Sequence, residues 1–501
     1  MFRKIPTSMA SQHPDHASIP YWHNKAFISV QHESKECYLS YTDFGIDEYK
    51  WDWEGKLVDE SVMERLLGEH FDYFKENPLG SVKFLTFRLP NPKVETEFRI
   101  GRAFLNILSA AALTKQVGLL TPPLFEVILP MTESAEEIIS IQEAFSEISH
   151  LKHSLYRMNG LLRNIEVIPL FEQVSTIIRS DKILDEYIQL CKKRLGTVPK
   201  YLRPYVARSD PALNSGLVPT VLAIKIALAH YQKFSERTGI ALFPIIGSAS
   251  LPFRGGLTPD TVDGFIEEYR GVKTALIQSA FRYDFDREKA IGAIKSLDRK
   301  LPMGTARRVT PREEKELQEL ILDFERIYRA TIEEIAPIIN KTAAFLPRRR
   351  ERVLHIGLFG YSRGVGKVTL PRAIGFTGAL YSIGVPPEFI GTGRGIKKAI
   401  REGKKELLEK FYINIKRDLL RAGAFLNKDI LSKLAKKSSA WSEIVEDVKA
   451  IEKYLGVKFT PLTSEEKEHH KLVEEIYKKI KMEEKPTELL ERAAILRRSL
   501  G

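Results

Sequence analysis

Residues 241–256 read Ala-Leu-Phe-Pro-Ile-Ile-Gly-Ser-Ala-Ser-Leu-Pro-Phe-Arg-Gly-Gly. The stretch opens as a short apolar run, 241–246, of the kind that forms a fully buried strand. It then breaks into the small residues Gly247, Ser248, Ala249 and Ser250 and ends in Arg254, Gly255 and Gly256. Glycines let a backbone approach a ligand closely and turn its N–H groups inward. An arginine beside them adds a planar fork matched to phosphate or carboxylate. The reading is a strand that delivers an anion-binding loop. The plain alternative is a surface turn with a solvated arginine.

Outward from this stretch the same rhythm repeats. Apolar strand-like runs occupy 81–89, 124–129, 164–172, 201–207, 274–280 and 353–359. Between them lie helical patterns at 99–116, 135–150 behind an N-capping Ser134, from 172 to about 195, 218–234, 261–269 and 311–340. Strands alternating with helices imply a parallel sheet covered by helices. Seven or eight such units fit a closed β/α, TIM-like barrel with additional helices. Residues 1–80 read as an irregular N-terminal segment, in which the proline-flanked 12–16 cannot form a regular helix. The barrel core with helical insertions is expected over 81–395, and a Lys/Glu/Leu-rich, mostly helical C-terminal extension over 396–501. No internal repeat or low-complexity linker divides the chain, so 1–501 is read as a single structural unit.

Composition narrows the classes. The 501 residues are 43% hydrophobic and 28% charged, which is globular and long enough to bury a large core. No run approaches the roughly 18 apolar residues of a membrane span, and the N-terminus lacks a signal-peptide core. Cys37 and Cys191 make neither a disulfide framework nor a zinc site, which suits a reducing cytoplasm. The net charge of +12 is spread and mixed with acids, favouring an anionic substrate and solvated helix faces over nucleic acid.

In a β/α barrel the active site lies at the C-terminal ends of the strands. There the sequence carries Arg88, Glu133, Glu172, Asp210, Gly247-Ser248, Arg282 and Arg363. Glu172 and Asp210, on successive strand ends, suit a hard divalent cation that takes one or two carboxylates and completes its shell with water and substrate oxygens. Asp210 also suits a plain helix cap. Arg254, Arg282, Arg363 and Arg372 form a surplus of fixed positive charge, which binds anions and cannot carry protons at neutral pH. The inferred substrate is small, polyanionic and metal-bound, with phosphate plus carboxylate fitting best. A histidine supplied from outside the barrel would handle a proton.

Several stretches in chain order carry a family resemblance. They are Gln12-His13-Pro14-Asp15, 167–172 (Val-Ile-Pro-Leu-Phe-Glu), 208–216 (Arg-Ser-Asp-Pro-Ala-Leu-Asn-Ser-Gly), Phe253-Arg254-Gly255-Gly256, 278–284 (Gln-Ser-Ala-Phe-Arg-Tyr-Asp), Gly360-Tyr361-Ser362-Arg363, Pro371-Arg372-Ala373-Ile374 and 381–394. Together they resemble phosphoenolpyruvate carboxylase, most closely the short archaeal type. The resemblance implies that His13, Arg254 and Arg363 are catalytic, and that Arg372, Arg282, Gly255 and Gly256 bind substrate. It implies that Glu172 and Asp210 hold Mg²⁺ or Mn²⁺. The implied reaction is phosphoenolpyruvate plus bicarbonate to oxaloacetate plus phosphate, through carboxyphosphate and a metal-bound enolate. A cytoplasmic homotetramer with no nucleic-acid or membrane partner is implied as well.

The sequence departs from the longer family members. Ser248-Ala249-Ser250 stands where they carry a first Arg-Gly-Gly, and Met131-Thr132-Glu133-Ser134 where they carry Arg-Gln-Glu-Ser. Two phosphate-contacting arginines are thus missing at their usual places, with Arg88, Arg208 or Arg282 as replacements. The ending Arg-Arg-Ser-Leu-Gly also differs from their Asn-Thr-Gly. Two competing readings are another Mg²⁺-dependent barrel enolate enzyme, such as a citrate-lyase-like C–C lyase, and a basic nucleic-acid binder.

Overall fold

The computed structural model describes residues 3–56, 58–95, 98–151, 162–351, 363–365 (backbone) and 368–501. Eight parallel strands close into a barrel: β1 (Ser8–Ser11), β2 (Glu48–Asp52), β3 (Phe84–Arg88), β4 (Glu126–Leu129), β5 (Glu166–Phe171), β7 (Tyr205–Val206), β9 (Ile245–Ile246) and β10 (Thr274–Ile277). Two short strands, β6 (Tyr201–Leu202) and β8 (Ala241–Leu242), pair with each other just before β7 and β9. Pro204 and Pro244 fall between the halves of these two runs, and a proline cannot donate to a ladder. The TIM-like barrel expected from the strand–helix rhythm is therefore present.

Its membership corrects the expected boundaries. The segment 1–80 is not an irregular appendage, because it supplies β1 and β2 and the helices Glu33–Thr42 and Val62–Glu76. Strand β1 sits between β10 and β2, with Met9 opposite both Leu276 and Glu48, and so closes the cylinder. The expected strand at 353–359 lies outside the described residues, and the barrel is closed without it.

The reason β2 escapes a search for apolar runs is its alternation. Glu48, Lys50 and Asp52 share one face, and Tyr49 and Trp51 the other. The aromatic pair packs outward under the helices, so the charged face points into the barrel. Strand β5 shows the usual arrangement: Ile168 and Leu170 join Met9, Ile128, Tyr205, Ile245 and Leu276 inside, while Val167 and Phe171 face the helices. The N-terminal end of the barrel is sealed by charge. Arg203 reaches Glu48 at 2.6 Å and Glu126 at 2.7 Å, all buried.

The outer helices follow their apolar periodicity closely. Arg99–Gln116 and Ala135–Ser149 form where the pattern puts them, and the Ser134 hydroxyl accepts the Glu137 N–H at 3.3 Å. The long helix Pro311–Ala343 starts at a capping box built by Thr310 and Glu313. From Thr392 onward the chain is helical to Leu496, as expected. It does not end far from the barrel, however. The Leu500 N–H donates to the Asp15 carbonyl at 2.7 Å, bringing the last residues back to the segment that follows β1.

Candidate active site

At the C-terminal mouth of the barrel lies a cavity of about 820 Å³. His13, Glu172, Asp210, Arg254 and Arg372 all line it, although they come from five separate places in the chain. Its floor is the apolar top of the barrel interior, Leu170, Tyr205 and Leu276. Leu346, Ile374 and Leu500 add apolar surface from the outer elements.

His13 follows β1 by two residues and is therefore a strand-end group, not one brought in from outside the barrel. Its Nδ1 lies 3.0 Å from the Ser11 hydroxyl, which fixes the ring. Burial, then the nearby Lys50, Arg88 and Arg254, hold its pKa well below the ordinary value, so the ring is neutral. Two residues on, Asp15 accepts from the Ala280 N–H at 2.8 Å and from the Ser279 hydroxyl at 3.0 Å, which ties this segment to the end of β10.

Arg254 ends the 3₁₀ turn Pro252–Arg254 and is nearly fully buried. Its Nη2 donates to Gln278 Oε1 at 2.8 Å and its Nε to the Ser209 hydroxyl at 3.1 Å, and Nη1 donates to the Gly501 carbonyl. The loop itself is anchored from behind. Arg208 donates to the carbonyls of Phe253 at 3.0 Å and Pro252 at 3.3 Å, and the Phe253 N–H donates to Glu388 at 2.8 Å. A guanidinium held this way has little freedom left to lose when it meets an anion.

Glu172 follows β5, and its Oε2 accepts the Met131 N–H at 2.7 Å. Asp210 lies in the first turn of the short helix Ser209–Ser215 after β7. Arg372 caps the helix Ala373–Ser382, whose first turn, Ala373 to Gly375, also lines the cavity. Unpaired N–H groups at a helix start favour negative charge.

Two cavity residues emerge from β2 and β3. Lys50 is completely buried, with Nζ 3.0 Å from Asp52 Oδ1. Arg88, named from the sequence as a strand-end charge and as one candidate replacement for the missing arginines, donates from Nε to Asp52 Oδ1 at 2.8 Å and pairs with Glu54. Asp52, Glu54 and Glu172 hold the Arg88 charge strongly in place. The signal for Lys50 was the period-2 alternation of residues 48–52, which reads as a strand once charge is allowed on its inner face.

Other expected site residues lie elsewhere. Arg282 does not line the cavity: it is buried beside α-helix Glu33–Thr42, bonded to Ser40 at 2.7 Å, the Ser11 carbonyl at 2.9 Å and Glu36 at 3.1 Å. Its charge answers the buried Glu36 carboxylate, which also meets Arg350. Gly255 and Gly256 do not line the cavity either. Gly255, at φ 122°, lets the loop pack on Ser248 and Arg208, where a Cβ would sit 3.2 Å from Ser248 Cα. Gly256, at φ 71°, turns the chain back against Arg421. Arg208 lines the cavity, but its guanidinium is bonded to Tyr269, Pro252 and Phe253. Glu133 pairs with Lys93 at 2.7 Å outside the cavity. The Arg363 backbone lies in a hairpin, β11 (Arg363–Val365) with β12 (Val368–Leu370), and its side chain is outside the described residues.

Residues 5–501 match the family model described as phosphoenolpyruvate carboxylase. The chain is 37% identical to a phosphoenolpyruvate carboxylase of Leuconostoc mesenteroides over 503 aligned residues, covering 100% of this chain and 99% of the relative. It is 39% identical to one of Metallosphaera sedula over 521 aligned residues, covering 100% of both. A third, from Pyrococcus furiosus, is 38% identical over 453 residues, covering 87% of this chain and 92% of its own. A solved citrate synthase overlaps 58% of this chain and 90% of its own at 14% identity with a TM-score of 0.30, too slight a likeness to argue from.

Proposed function

The chain belongs to the phosphoenolpyruvate carboxylase family, and on that premise we propose how its cavity divides the reaction among its residues. The substrates are phosphoenolpyruvate and bicarbonate, and the products oxaloacetate and phosphate. The observation that carries the assignment of residues is the convergence of His13, Glu172, Asp210, Arg254 and Arg372 on one cavity.

In the first half, a bicarbonate oxygen attacks phosphorus and the enol P–O bond breaks, giving carboxyphosphate and the enolate of pyruvate. Negative charge moves from the phosphoryl group to the enol oxygen. Arg254, Arg88 and Arg372 are fixed cations facing that change, and preorganised charge of this kind lowers the barrier without reorganisation at the moment of reaction. Of the carboxylates that line the cavity, Glu172, Asp210 and Glu351, the first two follow the neighbouring strands β5 and β7. Glu172 and Asp210 fit a hard divalent cation, Mg²⁺ or Mn²⁺, which keeps water and substrate oxygens in the rest of its shell. When bound, such an ion supplies Lewis acidity toward substrate oxygens.

In the second half, the carboxyphosphate C–O bond breaks to CO₂ and phosphate, and the enolate carbon attacks CO₂. His13, neutral and fixed by Ser11, acts as a hydrogen-bonding group that holds carboxyphosphate during this step. Leu170, Leu276, Leu346, Ile374 and Leu500 exclude water, which would otherwise protonate the enolate to pyruvate.

Oxaloacetate formation coupled to malate dehydrogenase, followed as NADH oxidation with and without bicarbonate, tests this reading. Bicarbonate-dependent oxidation of NADH supports it, and its absence with phosphoenolpyruvate and Mg²⁺ present sinks it. Among the described residues no helix is long and apolar enough to cross a membrane. The free, buried Cys37 and Cys191 favour a reducing, cytoplasmic setting, and the family resemblance favours a homotetramer.

A further inference from the structure

Arg421 lies in the helix Ile415–Gly423, within the Lys/Glu/Leu-rich extension, which lends the cavity no charged side chain among the described residues. Its guanidinium reaches back to the barrel mouth. Nη1 donates to the Gly256 carbonyl at 3.0 Å and Nη2 to the Ser250 carbonyl at 3.1 Å. Neither bond goes to a carboxylate. The acid three residues earlier, Asp418, accepts from Tyr412 at 2.9 Å and from Arg417 at 3.3 Å.

What Arg421 holds is the loop 250–256, at both ends. Between its two carbonyls sits the 3₁₀ turn Pro252–Arg254, which carries Arg254 into the cavity. A planar fork has a fixed spacing between its donors, so it sets the distance and angle between two oxygens in a way that a point charge cannot. Arg208 grips the turn itself, at the carbonyls of Pro252 and Phe253. Two arginines from separate parts of the chain thus hold the carbonyls of Ser250, Pro252, Phe253 and Gly256.

The second glycine of Arg254-Gly255-Gly256 gains a use from this arrangement. Gly256 stands at φ 71°, and a β-carbon there would lie 3.2 Å from Arg421 Nη1. The glycine leaves room for the guanidinium to reach its carbonyl.

Resting on the role of Arg254 in the reaction proposed above, we infer that Arg421 is a positioning residue. By holding both ends of the loop 250–256 it sets where the Arg254 guanidinium stands in the cavity. It touches no substrate itself. Displacing a positioned group by about 1 Å can cost about 10²-fold in rate, even when the change is made far from the reacting atoms.

The test is a double-mutant cycle in the full chain. Arg421→Gln and Arg254→Ala are made alone and together, and kcat and KM for oxaloacetate formation are read beside melting temperature. Arg421→Gln alone should lower kcat by about 10–10²-fold. On the Arg254→Ala background the same substitution should cost less than about twofold, because the guanidinium that it positions is gone. Arg421→Lys keeps the charge but not the fork, so it should recover melting temperature more than kcat. If Arg421→Gln fails to fold, Arg421→Lys carries the same cycle. Full kcat in Arg421→Gln overturns the inference. So does a loss that multiplies undiminished on the Arg254→Ala background, which would make Arg421 a structural residue acting apart from Arg254. If the wild type forms no oxaloacetate, the reaction is refuted instead, and the same cycle read as affinity for inorganic phosphate by titration calorimetry still decides whether Arg421 acts through Arg254.

Discussion

Arg254 and Asp15 form a buried ion pair, Nη1 to Oδ2 at 3.6 Å, that joins the loop after β9 to the segment after β1. A residue that lines the cavity is thus also one that holds two parts of the barrel mouth together. The sequence alone suggests that removing Arg254 costs turnover with little stability. The pair says otherwise, because leaving one partner of a buried pair alone typically costs about 3–5 kcal/mol. Arg254→Ala should lose rate by about 10²–10³-fold and also melt at a lower temperature. Arg254→Lys keeps a charge opposite Asp15, so it should recover melting temperature more than turnover. Calorimetry beside steady-state rates decides this, and equal recovery of both would contradict it.

Glu172→Gln and Asp210→Asn should each abolish carboxylation and weaken Mn²⁺ binding. Each removes one of the few protein oxygens available to a hard cation. Titration calorimetry with Mn²⁺ reads the binding directly. Wild-type Mn²⁺ affinity in both variants would remove these carboxylates as ligands.

His13→Asn should separate the two halves of the reaction. Arg254, Arg88 and Arg372 remain for phosphoryl transfer, so phosphate release continues, but pyruvate replaces oxaloacetate as the main product. Loss of one preorganised donor corresponds to roughly 10²–10³-fold in its own step. Product analysis by coupled lactate and malate dehydrogenase assays distinguishes the two. A normal oxaloacetate yield would place His13 outside the chemistry.

Arg282→Ala should act on stability and leave substrate affinity alone. Its guanidinium meets Glu36 and Ser40 behind β1, and the variant would leave the Glu36 charge with one cation fewer. A lower urea midpoint with an unchanged KM for phosphoenolpyruvate is the expected result. A raised KM at unchanged stability would restore Arg282 to the substrate site.

His16 predicts a pH dependence of folding. It is buried between the Ser279 hydroxyl at 2.9 Å and the Ala26 carbonyl at 2.8 Å, and burial pushes its pKa down to about 3. The folded value lies below the unfolded one, so below about pH 6.5 the unfolded chain binds a proton that the folded chain refuses. This contribution is fully present above pH 6.5 and is lost as pH falls toward about 3, at up to about 1.4 kcal/mol per unit. His16→Asn should be less stable at neutral pH, yet lose less on going from pH 7 to pH 5. Urea titrations at the two pH values measure it, and an unchanged difference would contradict it.

The amino-acid sequence by itself determined the barrel class, because apolar runs such as 164–172 and 274–280 alternate with helices whose periodicity and caps are local. It also marked groups that come soon after those runs, Glu172 and Asp210, and the loop that carries Arg254, since a strand end in a barrel has one place to go. Where the barrel begins was decided by tertiary structure. Strand β2 hides an inward charged face, Glu48, Lys50 and Asp52, that has no meaning until Arg203 and Arg88 are brought opposite it. The same holds for the arginines. Arg254 and Arg282 look alike in the chain, each in a short motif after a strand. Only packing gives Arg282 to Glu36 behind β1 and leaves Arg254 at the mouth, held by Gln278, Ser209 and Asp15. A long-range ion pair is formed by residues that share no local pattern, so nothing short of the folded chain distinguishes a guanidinium that lines the cavity from one buried behind β1.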